Sequence, residues 1–159
     1  MALSTKQKVI KLLTPILLPI VKAYWRIFKP STFGVKVIVE FEGKILIVRN
    51  SYGYKSLSFP GGRIDRGEKP LQAAIRETKE EVGISPAEIK YIGMITSTRE
   101  GKKDNIHIFH MTAPTPLIRT DEFEIAEAFW QKDMSQIKLG PVAKEIWDFY
   151  LEKTAARSF

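Results

Sequence analysis

The chain has 159 residues, 44% of them apolar and 27% charged, the size and balance of one globular domain with a proper core. It contains no cysteine, which excludes a disulfide scaffold, a thiolate nucleophile and any cysteine-based zinc site. A net charge of +7 favours anionic partners: nucleotides, nucleic acid or an acidic membrane surface. The excess is uneven, because no Asp or Glu precedes Glu40. No internal repeat or low-complexity run is present.

Residues 1–30 read as a basic amphipathic helical arm, separate from a domain over residues 31–159. On a helical wheel Lys8, Lys11, Lys22, Arg26 and Lys29 gather on one stripe. Leu13, Ile16, Leu17, Ile20, Ile27 and Phe28 lie opposite. Pro15 kinks or divides such a helix. The interspersed charges exclude a spanning helix, which needs about 20 consecutive apolar residues. Three readings stay open. The arm is a helix lying in a membrane interface, with Tyr24 and Trp25 near its end. Or it packs on its own domain or on a second copy. Or it is a targeting peptide, for which arginine is scarce and no clear cleavage site is visible. Absence of cysteine fits a reducing compartment, so the expectation is a cytoplasmic protein, with membrane association through the arm as one of these readings.

Val35, Val37, Val39 and Phe41 alternate along one face of a strand. Glu42-Gly43-Lys44 reads as a turn and Ile45 to Val48 as a second, more continuously apolar strand. Together they predict a hairpin. Asn50 to Lys55 is a loop containing Tyr52 and Tyr54. Leu57 to Phe59 is a short strand running into Pro60-Gly61-Gly62. Paired glycines let backbone approach a ligand closely and turn N–H groups towards anions.

Pro70 to Val82 reads as a helix, with Pro70 in its first turn and Gly83 just past its end. Lys69 stands where a Ser or Thr cap is common, which predicts a poorly capped start. Leu71, Ala74, Ile75, Thr78 and Val82 form the expected buried stripe. Glu77, Glu80 and Glu81 share another face, since residues three and four apart are neighbours. Carboxylates crowded there repel one another. A hard divalent cation removes the repulsion, and oxygen-only ligands suit Mg²⁺ or Mn²⁺. Arg76 precedes Glu80 by one turn and is placed to hold its carboxylate. Taken singly, each glutamate reads as a solvated surface acid. A glycine turn followed by the whole set reads as a holder for a phosphate chain and its metal.

Ser85-Pro86 ends the helix. Ile89 to Ser97 and Ile106 to Met111 read as strands joined by the loop Arg99 to Asn105. His107 and His110 fall on opposite faces of their strand, so they make no metal pair by adjacency. Ala113 to Thr120 reads as a loop and Phe123 to Trp130 as another strand. Pro141 opens a final helix with a core face of Val142, Ile146, Phe149 and Tyr150.

The spacing from Gly62 to Ile84 is G-x5-E-x7-R-E-U-x-E-E-x-G-U, where U is bulky and apolar. Gly62, Glu68, Arg76, Glu77, Glu80, Glu81, Gly83 and Ile84 fill its fixed positions, and Thr78 departs mildly at the first U. This resembles the box of the Nudix hydrolases, a motif long enough to be specific. The resemblance covers roughly Gly34 to Glu152. It implies an α/β/α sandwich around a mixed β-sheet and hydrolysis of a nucleoside diphosphate linked to another group. It implies Glu77, Glu80 and Glu81 as metal ligands, Glu68 as a support of the metal site or its loop, and Arg76 as the residue orienting a glutamate. It implies Gly61, Gly62 and Arg63 as the phosphate turn. Segments like 50–58 help form the substrate pocket in the family, which makes Tyr52 a candidate to stack on a base. Many members add a late acidic residue as ligand or base, and Glu124 and Glu127 are the nearest matches. Some subfamilies carry a proline or tyrosine at a set distance past the box; Thr98 to Lys103 has neither. Two other functions stay open. One is a nucleotide-sensing domain without catalysis, against which the intact box argues. The other is RNA processing, against which weigh basic residues concentrated in the arm without an aromatic platform. A nucleotide-type small molecule is the expected partner, with no specific nucleic acid.

Overall fold

A computed structural model of the chain describes residues 31–51, 56–98 and 103–156. The expected arm over residues 1–30 lies outside these, as do Tyr52 and Tyr54. The elements in order are β1 (Ser31–Phe41), β2 (Lys44–Asn50), β3 (Leu57–Ser58), α1 (Pro70–Val82), β4 (Glu88–Ser97), β5 (Lys103–Thr112), β6 (Ile125–Gln131), a 3-10 turn (Met134–Gln136) and α2 (Pro141–Ala155). The sheet runs β3-β2-β1-β5-β4, with β6 on β2. β1 and β5 pair parallel and the other pairs are antiparallel, so the sheet is mixed.

The predicted hairpin is present, but β1 and β2 pair only near the turn, at Glu40↔Ile45 and Phe41↔Lys44. Below it they separate, and the freed edge of β1 takes the glycine turn. Val37 N–H donates to Pro60 O and Val35 N–H to Gly62 O, each at 2.9 Å, and Ile64 N–H donates to Phe33 O at 3.1 Å. The splay therefore seats Gly61 and Gly62 against a central strand.

Alternation along the strands builds two cores, one on each face of the sheet. Val35, Val37 and Val39 of β1, with Phe109 and Met111 of β5, pack beneath Ala73, Ala74 and Val82 of α1. Ile38, Ile108 and Phe59 pack beneath Ala143 and Ile146 of α2. This is the sandwich that the resemblance implied. Val142, Phe149 and Tyr150 border the second core, as the spacing in α2 predicts.

Several details differ from the sequence pattern. Leu71, expected in the buried stripe of α1, is exposed, and Ala73 is buried in its stead. Leu71 projects from the first turn over a shallow groove with Ile89, Tyr91 and Phe109, while the small alanines let the next turn lie close on the sheet. Thr78 is fully buried, and its hydroxyl donates to Ala74 O at 2.8 Å, so the polar group at that apolar position is satisfied. Lys69 provides no side-chain cap, but Gln72 Oε1 accepts from Lys69 N–H at 3.1 Å, so the start of α1 is capped from inside the helix. β5 begins at Lys103 because Lys103, Asp104 and Asn105 pair with Ser31, Thr32 and Phe33 of β1. β6 begins only at Ile125. Phe123 and Glu124 belong to a turn in which the Asp121 side chain accepts from Phe123 N–H at 2.8 Å.

Phe59 joins β3 to the glycine turn. It is fully buried and stacks on Trp147 of α2 with ring centroids 6.1 Å apart. Phe59→Ala is expected to cost about 3–5 kcal/mol, read as a lowered urea midpoint at unchanged slope. A loss below about 1 kcal/mol would show that the turn is not anchored through this ring.

Candidate active site

The site is built around Arg76, on the face of α1 turned towards the glycine loop. Its guanidinium takes Glu68 in a two-point grip, Nε to Oε1 at 2.9 Å and Nη2 to Oε2 at 2.8 Å. Nη1 reaches Glu77 Oε1 at 2.8 Å and Glu80 Oε2 at 3.1 Å. Nη2 also donates to the Arg63 carbonyl at 3.1 Å. One side chain thus ties the loop over residues 63–68 to the carboxylate face of the helix.

Glu68 is further fixed by the Asp65 N–H at 3.0 Å. Its bonds to Arg76, and secondarily to that N–H, hold its carboxyl down to about 2. The same pairing, led by Glu68, raises the Arg76 pKa, so the guanidinium stays charged.

Glu81 is buried, 5% exposed, and accepts the Gly61 N–H at 2.7 Å. Gly61 has φ +126°, and a Cβ there would collide with the Val35 carbonyl oxygen. Only glycine gives this N–H its direction. Glu77 lies directly over Gly62, where a Cβ would overlap its carboxylate. Burial pushes the Glu77 carboxyl up, against the pull of Arg76, and the Glu81 and Glu80 charges push the same way.

The three glutamates of the box thus have different tethers. Glu77 sits between Gly62 and Arg76, Glu80 is exposed and touches Arg76, and Glu81 is held by Gly61. Among the described residues no three acidic or histidine side chains already converge as a metal cage. The donor set nevertheless suits a hard cation. It is all oxygen, shares one helix face, and includes a carboxylate whose charge is disfavoured where it stands.

The late acids are placed differently from one another. Glu127 pairs with Arg49 at 2.8 Å across β6 and β2. Val48 packs beneath α1, so alternation turns Arg49 and Glu127 to the α2 face, away from the box. Glu124 lies in the turn before β6, and this turn is tied to α1, because Asp121 N–H donates to the Glu81 carbonyl at 3.1 Å. The Arg63 side chain is exposed beside a cleft of ≈ 330 Å³ lined by Phe33, Lys36, Gly62, Asp104 and Ile106. His107 meets the Tyr91 hydroxyl at 3.1 Å and burial lowers its pKa; His110 meets Glu40 at 2.9 Å. Neither histidine belongs to the carboxylate cluster.

Lys36 was not singled out by the sequence pattern. Its Nζ donates to Phe59 O at 2.9 Å and to Gly61 O at 2.5 Å. The available signal was a cation between Val35 and Val37 in the apolar middle of the strand, which alternation reads as an outward surface residue.

The family model for the NUDIX domain matches residues 29–150. The chain belongs to the Nudix family. An RNA pyrophosphohydrolase of Francisella tularensis subsp. mediasiatica is 42% identical over 67 residues, which is 42% of this chain and 37% of the relative. An 8-oxo-dGTP diphosphatase of Escherichia coli is 41% identical over 61 residues, 36% of this chain and 47% of the relative. The chain therefore spans less than half the length of either. The crystal structure of the MutT protein of Methanosarcina mazei superposes with a TM-score of 0.70, covering 82% of this chain and 98% of that one at 20% identity, and shows the same fold.

The grip on Glu68 predicts an acid-sensitive contribution to stability. Its folded pKa lies below the ordinary 4.5, so the contribution is complete above 4.5 and is lost as pH falls from there through about 2. Glu68→Gln should melt lower than wild type by a constant gap above about pH 5.5, a gap that narrows below 4.5. A gap of the same size at every pH would show that the charge of Glu68 contributes nothing.

Proposed function

We propose that the chain is a divalent-metal-dependent hydrolase that cleaves a phosphoanhydride bond in a nucleoside diphosphate derivative by attack of water. The observation that carries the reading is the apposition of the α1 carboxylates to the glycine turn, with Glu81 bound to Gly61 and Glu77 packed on Gly62. Relatives named as a diphosphatase and a pyrophosphohydrolase support it.

In this reading residues 31–159 carry the chemistry and the basic arm, residues 1–30, is separate from it. Glu77, Glu80 and Glu81 would hold Mg²⁺ or Mn²⁺, with Glu124 the better placed of the two late acids to assist. The metal, when bound, neutralises the diphosphate and lowers the pKa of a bound water. The chain's own residues do the rest. Arg76 releases Glu77 and Glu80 while its two-point grip on Glu68 keeps the guanidinium in place. The Gly61 N–H fixes one carboxylate oxygen of Glu81 and so directs the other. The turn at Gly61 and Gly62 lets a phosphate chain approach without a side chain in its way, and Arg63 offers a positive charge at the mouth of the adjacent cleft. Tyr52 is the candidate to stack on a base.

The test is a screen of the full chain with Mg²⁺ against nucleoside triphosphates, nucleotide sugars, ADP-ribose, dinucleoside polyphosphates and 5′-triphosphorylated RNA. One class should turn over, and Glu81→Gln should lower that rate at least about 100-fold with the fold intact. Undiminished hydrolysis by Glu81→Gln would remove the assigned site. Tight nucleotide binding without turnover of any class would make the chain a sensor instead.

A further inference from the structure

We propose that Lys36 is a positioning residue for the hydrolytic site, acting as a built-in cation that locks the glycine turn and so aims Glu81. The proposal rests on the reading of the site given above.

The carbonyls of residues 59–62 point alternately to the β1 backbone and to one β1 side chain. Pro60 O and Gly62 O point towards the β1 backbone and accept from Val37 and Val35 N–H. Phe59 O and Gly61 O are the alternate pair, and both accept from the single ammonium of Lys36. All four successive carbonyls are thus taken by β1, two by its backbone and two by one side chain. Two carbonyl dipoles converging on one point make a spot of negative potential in a half-buried place. An ammonium filling it turns a repulsion into two charge-assisted bonds.

The consequence falls on Glu81. The Gly61 N–H belongs to the peptide between Pro60 and Gly61, and Lys36 fixes the peptide on either side of it. Gly61 sits at φ +126° with no Cβ to restrain it, so the turn has freedom that must be removed from outside. Lys36 removes it. The N–H is then aimed at Glu81 Oε2, 2.7 Å away, in a pocket where that carboxylate is nearly out of solvent. Lys36 also lines the ≈ 330 Å³ cleft beside Arg63, so a direct contact with substrate is the rival role to be separated.

The experiment uses the full chain as wild type, Lys36→Met, Lys36→Gln and Lys36→Arg. The first readout is amide hydrogen exchange by NMR, which needs no substrate. Lys36→Met should expose the Gly61 amide to faster exchange while those of β5 and α2 stay protected. The second is steady-state kinetics on the substrate found by screening. Lys36→Met should lower kcat by about 10- to 100-fold, the scale of a displaced catalytic group, with KM within about threefold. Lys36→Arg, whose fork can still reach two oxygens, should recover much of the loss. Lys36→Gln keeps one donor without the charge, should fall between, and serves if Lys36→Met does not fold. Gly61 protection and kcat both at wild-type levels in the neutral variants would overturn the proposal. So would a rise in KM alone, which marks a substrate contact, or a uniform loss of protection, which marks a general support of the fold. If wild type hydrolyses nothing, the assigned activity fails while the exchange data still decide what Lys36 does to the turn.

Discussion

Like charge on one helix face is the constraint around which this molecule is arranged. Glu77, Glu80 and Glu81 repel one another on α1, and Arg76 sets a positive charge against two of them, Glu77 and Glu80. The contributions differ with exposure. The Glu80 side chain is 58% exposed, so its pair with Arg76 is screened and contributes little, about 0–1 kcal/mol. The Glu68 and Glu77 side chains are 15% and 13% exposed, so those pairs hold the loop to the helix. Breaking them would leave a charge poorly solvated. Arg76 stays charged throughout, which makes it a fixed counterion that, under the proposed function, a metal would displace only in part.

The proposed function also needs room for a phosphate chain beside those acids, and an incomplete hairpin is what brings the glycine turn there. β1 and β2 part a short way below their turn, and the gap admits residues 60–64 as a further partner of β1. The glycine turn therefore has the rigidity of a central strand although it is a loop. Its two glycines serve different ends. Gly61 allows a backbone direction that other residues resist, and Gly62 lets the Glu77 carboxylate lie flat on the chain. Glu77 and Glu81 are thereby held at fixed places against the turn, one over Gly62 and one on the Gly61 N–H.

Much of this was legible in the residues and some was not. Alternation at Val35, Val37 and Val39 gave β1, and three-and-four spacing with Pro70 and Gly83 gave α1, because burial of one face leaves a period in the sequence. The box put the acids and Arg76 on one helix, where Arg76 meets Glu77 and Glu80. Long-range pairing leaves no such period. Nothing local says that Lys103 to Asn105 pair with Ser31 to Phe33, or that β1 would leave β2 for the glycine turn. Lys36 was hidden for the same reason: its partners are carbonyl oxygens more than twenty residues away, and backbone atoms carry no sequence signature. Leu71 shows the converse. It fits the apolar period of α1, but in the first turn it borders only a shallow groove of the sheet and stays exposed.

The central claim is that the α1 carboxylates and the glycine turn together take a divalent cation. Its most direct test is a titration of the isotope-labelled full chain with Mn²⁺, followed by paramagnetic broadening of the amide signals. The account predicts that signals of Gly61, Gly62 and residues 77–81 broaden first, at substoichiometric metal, and return when excess Mg²⁺ is added. Broadening that begins elsewhere, or none at these positions when Mn²⁺ is in large excess, would contradict it.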